Sequence, residues 1–291
     1  MQTGPRVDAV MLEARASVLS KRSIKAESKL AGIDLVVACS DLTTLEGKDT
    51  PGKVRGLCAR GVEPGAGVPS VAAICVYPSL VRVAAEALAG SGVLVASVAT
   101  AFPSGLAPLD VKLRDTHDAL AAGADEIDMV IDRGAFLAGR YDVVRGEIEA
   151  VRAVCAGVTL KVILEVGELG SYVAIRRAAD LALDAGADFI KTSTGKIGLS
   201  STPPIALLMC EAIRDHARKT GREAGIKFAG GIRTTKAALG YLSIVLETLG
   251  MAWLSPARLR FGASSLLDDL LMQREKAATG NYAGPSYVAI A

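Results

Sequence analysis

Short apolar runs and segments of helical period alternate along the chain from about residue 33 onward. Several of the apolar runs are rich in valine and isoleucine without strict alternation, which is typical of parallel strands covered on both faces. The segments between them carry apolar stripes at helical spacing, such as Val144, Ile148 and Val151. The predicted strands lie near residues 35–42, 71–77, 93–100, 126–131, 160–166, 189–192, 226–229 and 259–263. This number of β/α units closes a barrel, so the pattern predicts an α/β fold, a (β/α)8 TIM barrel.

Turn and cap signals support this architecture. Thr50-Pro51 and Thr202-Pro203 each place a capping hydroxyl before a proline at the first helical position. A doubly wound open sheet would instead require a glycine fingerprint after the first strand. The chain has SDLTTLEGKD there, at residues 40–49, so we favour the barrel.

No linker or low-complexity tract divides the chain of 291 residues, and a barrel of this size usually forms one unit. We therefore expect a single (β/α)8 barrel domain over residues 1–291. Residues 1–30 are predicted to form one or two extra N-terminal helices, and residues 277–291 a C-terminal tail. The first residues lack the apolar core of a signal peptide and carry acidic groups that a transit peptide would avoid.

Composition argues against several classes of function. A net charge of +2 gives no reason to expect binding to nucleic acid or a membrane surface. The longest apolar runs are too short to span a bilayer. The five cysteines are scattered without a CxxC pair, and the two histidines fall in predicted helices. We therefore expect no metal centre, no disulfide framework and no histidine-based triad, in a cytoplasmic protein.

Three charged residues lie inside apolar strands, near the ends where a barrel places its active site. They are Asp128 in EIDMV, Lys191 in DFIKTS and Lys227 in GIKFAGG. Isolated charges in a barrel interior are so costly that the three should meet, and Lys161 and Glu165 are expected to pair beside them. A second ammonium lowers the pKa of the first, and a lysine that is neutral near pH 7 forms imines with carbonyl groups. The alternative is a buried ion network without a catalytic role.

Glycines and hydroxyl groups follow the last two predicted strands, where barrels usually bind phosphate. Glycine lets backbone N–H groups approach phosphate oxygens, and the start of a helix favours an anion. A lysine after the sixth strand could add a point charge. The alternative is a tight turn followed by an ordinary helix cap. The candidate phosphate-binding residues are Lys196, Gly230, Gly231, Gly262, Ser264 and Ser265.

With these residues the chain resembles the deoxyribose-phosphate aldolase family, whose members are class I (imine-forming) aldolases with a (β/α)8 barrel. The resemblance extends from about residue 30 to the end of the chain. The segments that carry it are SDLTTLEGKDT, AAICVYP, VASVATAFPSG, GADEIDMVID, LKVILEVGELG, GADFIKTSTGK, AGGIRT and RFGASSLL. DFIKTSTGK is the most specific of them.

The resemblance implies reversible cleavage of 2-deoxy-D-ribose 5-phosphate into acetaldehyde and D-glyceraldehyde 3-phosphate, in deoxyribose phosphate catabolism. It implies that Lys191 forms the imine, that Lys227 perturbs Lys191 and that Asp128 relays protons. The phosphate grip would consist of Lys196, Gly230, Gly231, Ser264 and Ser265. Neither a metal nor an organic cofactor is implied. A homodimer is possible, since family members are often dimeric.

Two residues depart from the family pattern. Phe228 stands where proline is usual after the seventh-strand lysine, and Ala101 stands where asparagine or glycine is commoner. Either could alter the mouth of the site. A tail tyrosine often reaches the site in this family, and Tyr282 or Tyr287 could serve here. The same residues also fit another imine-forming phosphosugar barrel, transaldolase-like or with a different aldehyde specificity, and a sugar-phosphate sensor without turnover.

Overall fold

The computed structural model describes residues 6–22, 24, 26–198 and 201–280. Within them eight parallel strands form a closed barrel in chain order, and the eighth strand pairs with the first. This confirms the predicted (β/α)8 barrel. The strands are β1 (Ser40–Thr43), β2 (Ala73–Val76), β3 (Leu94–Ala99), β4 (Glu126–Val130), β5 (Thr159–Ile163), β6 (Phe189–Lys191), β7 (Gly225–Phe228) and β8 (Leu259–Ala263).

Eleven helices surround the barrel in the described part of the chain. They are α1 (Ala9–Ser20), α2 (Ala26–Ala38), α3 (Pro51–Val62), α4 (Val81–Leu88), α5 (Leu109–Ala121), α6 (Arg133–Leu137), α7 (Tyr141–Val154), α8 (Tyr172–Asp184), α9 (Pro203–Thr220), α10 (Thr235–Leu249) and α11 (Leu266–Thr279). The predicted extra N-terminal helices are α1 and α2, which pack against α9, α10 and α11. Tyr282 and Tyr287 lie outside the described residues. No helix among the described residues is long and apolar enough to cross a membrane.

The first predicted strand begins too early. Residues 35–38 belong to α2, and β1 starts at Ser40. The run resembles a strand because Val36 and Val37 are β-branched. However, Ile33, Val36 and Val37 recur at the i, i+3, i+4 spacing of one helix face, and all three are fully buried. The other seven predicted strands overlap observed strands, with ends shifted by at most three residues.

Local sequence explains where the helices begin. The hydroxyl of Thr50 accepts a hydrogen bond from the amide of Lys53 at 3.3 Å, and Pro51 opens α3 as predicted. Pro203 likewise opens α9 after Thr202, although that threonine makes no capping hydrogen bond through its side chain. The proline positions therefore located both helix starts, and the threonine hydroxyl contributes to only one of them.

The barrel interior differs from the layer between strands and helices. That outer layer is continuously apolar, whereas the interior combines charged side chains with a small apolar cluster of Leu45, Ala73, Cys75, Ala96 and Val98. At the amino-terminal end of the strands, the ring of Phe189 lies over Gly225. A Cβ atom added to Gly225 would come within 2.3 Å of that ring, so only glycine fits beneath it. Phe189 thus forms a floor under the interior charges.

Candidate active site

The parallel register brings the three predicted strand-borne charges together. Lys191 on β6 lies directly opposite Lys227 on β7. The Nζ atoms of Lys191 and Lys227 lie 2.8 and 2.7 Å from the same oxygen, Oδ2 of Asp128. All three side chains are buried. One carboxylate therefore joins the two lysines that the sequence analysis singled out.

The ion pairs continue from Asp128 toward the floor. The Nζ atom of Lys161 lies 2.8 Å from Oδ1 of Asp128 and 2.6 Å from Oε2 of Glu126. Arg260 then contacts Oε1 of Glu126 and Oδ1 of Asp41, both at 2.7 Å. We call the whole set the charged column, and it consists of Asp41, Glu126, Asp128, Lys161, Lys191, Lys227 and Arg260.

The charged column contains three carboxylates and four basic groups. Lys227 and Arg260 each contact two of the carboxylates, and Lys161 contacts all three. Lys191 contacts Asp128 alone within the column. Three cations therefore balance three carboxylates, and loss of the proton from Lys191 leaves the column neutral. Because an uncompensated buried charge is costly, this arrangement favours a neutral amine at Lys191.

The pKa directions agree with this balance. Burial is the largest cause that lowers the pKa of Lys191; Asp128 opposes it, and the ammonium of Lys227 lowers the pKa further. Burial acts on Lys227 in the same direction, but Asp128 and Asp41 raise its pKa well above the ordinary value. The pKa of Asp128 lies well below its ordinary value, because the lysines around it outweigh the effect of burial. Burial is therefore a larger cause of the lowered pKa of Lys191 than the second ammonium.

A cavity of about 1160 Å³ opens at the carboxyl ends of the strands, directly above the charged column. Lys191 lines it. So do all the predicted phosphate-binding residues, namely Lys196, Gly230, Gly231, Gly262, Ser264 and Ser265. Gly230 and Gly231 have φ values of 82° and 85°, in the left-handed region that glycine enters without strain. The predicted imine lysine and the predicted phosphate site thus share one cavity.

Lys196 already has an acidic partner. Its Nζ atom lies 2.7 Å from Oε1 of Glu46, in the loop after β1. The hydrogen bond and charge of Lys196 lower the pKa of Glu46. The start of α11 also lines the cavity, since this helix begins at Leu266, directly after Ser265. Helix N-termini present unpaired N–H groups and a partial positive charge, which suit an anion.

Three members of the charged column were not assigned a role from the sequence: Asp41, Glu126 and Arg260. Arg260 carries the same signal as the two predicted lysines, since Leu259 and Phe261 flank it in β8. Glu126 precedes Asp128 by two residues and therefore shares its face of β4. A search for every charge inside an apolar strand would have found both residues.

The predicted pairing of Lys161 with Glu165 is wrong. Lys161 binds the carboxylates of the charged column, whereas Glu165 accepts hydrogen bonds from Thr194 and contacts Arg133. The physical reason is position along the strand. Lys161 lies within β5 and points into the barrel, but Glu165 follows the end of β5 and belongs to the loop above it.

The two departures from the family pattern have different surroundings. Phe228 is fully buried, and its ring packs on Tyr241 and Phe261 at centroid distances of 4.8 and 5.8 Å. It therefore faces the helix layer rather than the cavity. Ala101 has a φ of 58°, in the left-handed region. Glycine and asparagine are the residues that adopt this conformation most readily, so alanine is strained there.

No group of three or more histidine, cysteine, aspartate or glutamate side chains in the described ranges is arranged to hold a metal ion. The described cysteines Cys39, Cys58, Cys75, Cys155 and Cys210 are free and buried. Cys75 is the one nearest the candidate site, and burial raises the pKa of its thiol. A raised thiol pKa means a weak nucleophile, so the lysine is the reactive group that this geometry favours.

A closed (β/α)8 barrel with a buried lysine of lowered pKa at the carboxyl ends of its strands is the arrangement expected of an imine-forming barrel aldolase. Residues 33–270 match the profile of the DeoC/LacD family aldolases, and the chain belongs to this family. It is 43% identical over 289 residues to the deoxyribose-phosphate aldolase of Mus musculus, covering 94% of this chain and 91% of the mouse protein.

Solved structures agree. A provisionally named deoxyribose-phosphate aldolase from Toxoplasma gondii superposes with a TM-score of 0.78 at 26% identity, covering 89% of this chain and 99% of its own. The deoxyribose phosphate aldolase of Aeropyrum pernix, described as a tetramer, gives a TM-score of 0.66 at 25% identity and covers 89% of this chain and all of its own length.

Proposed function

We propose that the protein reversibly cleaves 2-deoxy-D-ribose 5-phosphate into acetaldehyde and D-glyceraldehyde 3-phosphate through an imine on Lys191. The observation that carries this proposal is the joint contact of Lys191 and Lys227 with one oxygen of Asp128, at the inner end of a cavity lined with anion-binding loops. The names of the relatives support the choice of substrate, since the mouse relative is a deoxyribose-phosphate aldolase of nearly the same length.

The neutral amine of Lys191 attacks the C1 aldehyde of the open-chain sugar phosphate and forms a carbinolamine. Its hydroxyl leaves as water after protonation, and the product is a protonated imine. Asp128, 2.8 Å from Nζ of Lys191, is the nearest carboxylate that can pass protons between these states. The imine nitrogen carries a positive charge, whereas the free amine is neutral. The carboxylate of Asp128 stabilises this charge.

Cleavage then breaks the C2–C3 bond. The C3 hydroxyl passes its proton to the relay at Asp128, C3 becomes the aldehyde carbon of D-glyceraldehyde 3-phosphate, and the bonding electrons move into an enamine at C1–C2. Protonation at C2 gives the acetaldehyde imine, and water releases acetaldehyde and regenerates the amine of Lys191. The reaction uses side chains of this chain and water, so we propose no metal or organic cofactor.

At the outer end of the cavity, we propose that the substrate phosphate binds the loops after β7 and β8 and the ammonium of Lys196. Backbone N–H groups at glycines and at a helix start suit a dianion. Lys196 would exchange its present partner, Glu46, for the phosphate. Lys191 and the proposed phosphate loops line the same cavity, so one substrate molecule can contact both.

The same site would serve another imine-forming enzyme, transaldolase-like or with a different pair of aldehydes. Location and assembly are likewise proposals: a reducing compartment such as the cytoplasm, which suits unpaired buried cysteines, and a homo-oligomer that could be a dimer. We also propose that the barrel and its terminal segments form one domain.

Borohydride reduction in the presence of acetaldehyde tests the imine. We expect a two-carbon adduct on Lys191, located by peptide mass mapping. Lys191→Ala should remove the adduct and lower turnover by about 10⁴-fold or more, as is typical when a covalent nucleophile is lost. Lys196→Ala is the matched control and should still form the adduct. No adduct on Lys191 would refute the imine mechanism. An adduct without cleavage of 2-deoxy-D-ribose 5-phosphate would favour the alternative enzyme.

A further inference from the structure

Backbone strain in the described residues is concentrated at the mouth of the barrel. Only three non-glycine residues there have a positive φ: Thr100 at 64°, Ala101 at 58° and Glu165 at 54°. They directly follow β3 or lie just after β5, in two loops on either side of β4. Side chains that adopt this conformation persist only where neighbouring contacts hold them, and such positions cluster at functional sites.

Arg133 supplies contacts to both strained loops. It is the first residue of α6, just after β4, and so lies between them. Its Nη1 and Nη2 atoms donate to the carbonyl oxygens of Pro103 and Ser104, at 3.1 and 3.0 Å. On the other side it contacts Glu165 at 3.3 Å and Glu168 at 2.9 Å. One guanidinium therefore ties the loop after β3 to the loop after β5.

Glu165 passes this connection on to the loop that follows β6. Its carboxylate accepts hydrogen bonds from the backbone N–H and the hydroxyl of Thr194. The Thr194 hydroxyl in turn accepts the N–H of Lys196 at 3.1 Å. Glu165 is fully buried, and Arg133 is its cationic partner. A buried carboxylate with these partners is costly to disturb, so it fixes the loop firmly.

We propose that Arg133 and Glu165 are positioning residues that hold the Thr194–Lys196 loop in place for the phosphorylated end of the substrate. This inference rests on the proposed function. Thr194 and Lys196 line the cavity together with Lys191. Without the contacts of Arg133 and Glu165, the loop must be ordered at each binding event, and this entropic cost weakens phosphate binding. Lys191 is held separately by β6 and Asp128, so imine formation with unphosphorylated acetaldehyde should not depend on Arg133 or Glu165.

The test uses Glu165→Gln and Arg133→Met in the full chain. Each variant should raise KM for 2-deoxy-D-ribose 5-phosphate about tenfold, as expected when a buried charged hydrogen bond is lost, and change kcat less than twofold. The affinity for inorganic phosphate, measured by calorimetry, should fall by a similar factor. The rate of borohydride trapping of acetaldehyde on Lys191 should stay within twofold of the unmodified protein. Arg133→Lys should restore part of the lost affinity.

Arg145→Met is the matched control. Arg145 forms an exposed ion pair with Glu149 at 3.9 Å on α7, away from these loops, and we expect less than a twofold change in every measurement. If substrate affinity, kcat and the rate of trapping all fall by the same factor, the two residues have a merely structural role and the inference is wrong. Unchanged affinity for phosphate would also overturn it. Should Arg133→Met fail to fold, Glu165→Gln and Thr194→Val give the same readouts. If the unmodified protein traps acetaldehyde and binds phosphate but does not cleave the sugar phosphate, the proposed substrate is wrong, and the phosphate affinities of the variants still decide this inference.

Discussion

At its inner end the cavity is bounded by side chains that strands hold in place, whereas loop backbone bounds its outer end. Lys191 is 3% exposed and shares a carboxylate with other buried cations. Lys196 is 28% exposed and contacts one acid that is itself 56% exposed. The glycines beside it offer backbone rather than side chains. The inner end thus has fixed electrostatics, and the outer end has groups that can exchange partners.

This difference explains how one cavity can bind two kinds of chemical group, a carbonyl and a phosphate. A carbonyl that arrives at Lys191 finds an amine whose pKa is lowered by burial, beside three cations that balance the three carboxylates. A phosphate that arrives at Lys196 must replace Glu46 in an exposed ion pair, and such pairs contribute little to stability. Changes to the inner end should therefore affect stability and pH dependence. Changes to the outer end should affect substrate affinity.

The largest expected effect is on stability, from Arg260→Met. The change removes one buried cationic partner from each of Asp41 and Glu126, which keep only Lys227 and Lys161, and the loss of one member of a buried pair typically costs about 3–5 kcal/mol. The free energy of unfolding in urea measures it. Arg145→Met is the control, because Arg145 forms only an exposed ion pair with Glu149 at 3.9 Å, and it should cost less than about 0.5 kcal/mol. Equal losses in both variants would mean that the column does not stabilise the fold.

The next effect is on pH dependence, from Lys227→Met. Its removal takes away an ammonium that lowers the pKa of Lys191 and leaves excess negative charge on Asp41 and Asp128, so the pKa of Lys191 should rise. Activity requires the free amine, which exists above that pKa. The acid limb of the kcat/KM profile should therefore move to higher pH, and activity at pH 7 should fall by about 10²-fold. At high pH the variant should recover toward the unmodified rate. An unmoved acid limb would contradict the charge-balance explanation.

A smaller and more selective effect should come from Lys196→Ala at the outer end. The loss of one charged contact to phosphate should raise KM for 2-deoxy-D-ribose 5-phosphate about tenfold, or about 1.4 kcal/mol. The KM for unphosphorylated 2-deoxy-D-ribose should change less than twofold. Lys236→Ala, an exposed lysine of α10, serves as the control and should leave both values unchanged. Equal changes for the two sugars would place the phosphate elsewhere.

The two ends also differ in how much of them could be predicted from sequence. The sequence predicted Asp128, Lys191 and Lys227 because a charged residue inside an apolar strand needs a buried partner of opposite charge. The alternation of side chains along a strand then fixes which face it occupies. The closed barrel followed from the count of strands. The same reasoning extends to Arg260, which lies between Leu259 and Phe261 in β8, on the face of the strand that points into the barrel.

Other features could not be predicted, because they depend on contacts between loops. Nothing in the spacing of Glu46 and Lys196 indicates that they pair across 150 positions of sequence. Lys161 and Glu165 were predicted to pair with each other because the sequence does not show that β5 ends before Glu165. The start of β1 was misplaced for a related reason, since a β-branched run at the end of α2 resembles a strand.

The smallest predicted effect concerns the loop that follows β3. Ala101→Gly should relieve the strain of a φ of 58° and stabilise the protein by about 0.5 kcal/mol, since relief of about 1–2 kcal/mol is partly offset by the greater freedom of glycine in the unfolded chain. The reverse change, Gly90→Ala at a φ of 78° with open space around it, should destabilise by about 1 kcal/mol. Thermal unfolding of both variants measures the difference. If Ala101→Gly also leaves kcat and KM unchanged, strain in this loop is a property of the scaffold. A change in KM would instead connect the loop to substrate binding through Arg133, whose guanidinium binds the carbonyl of Pro103 two residues away.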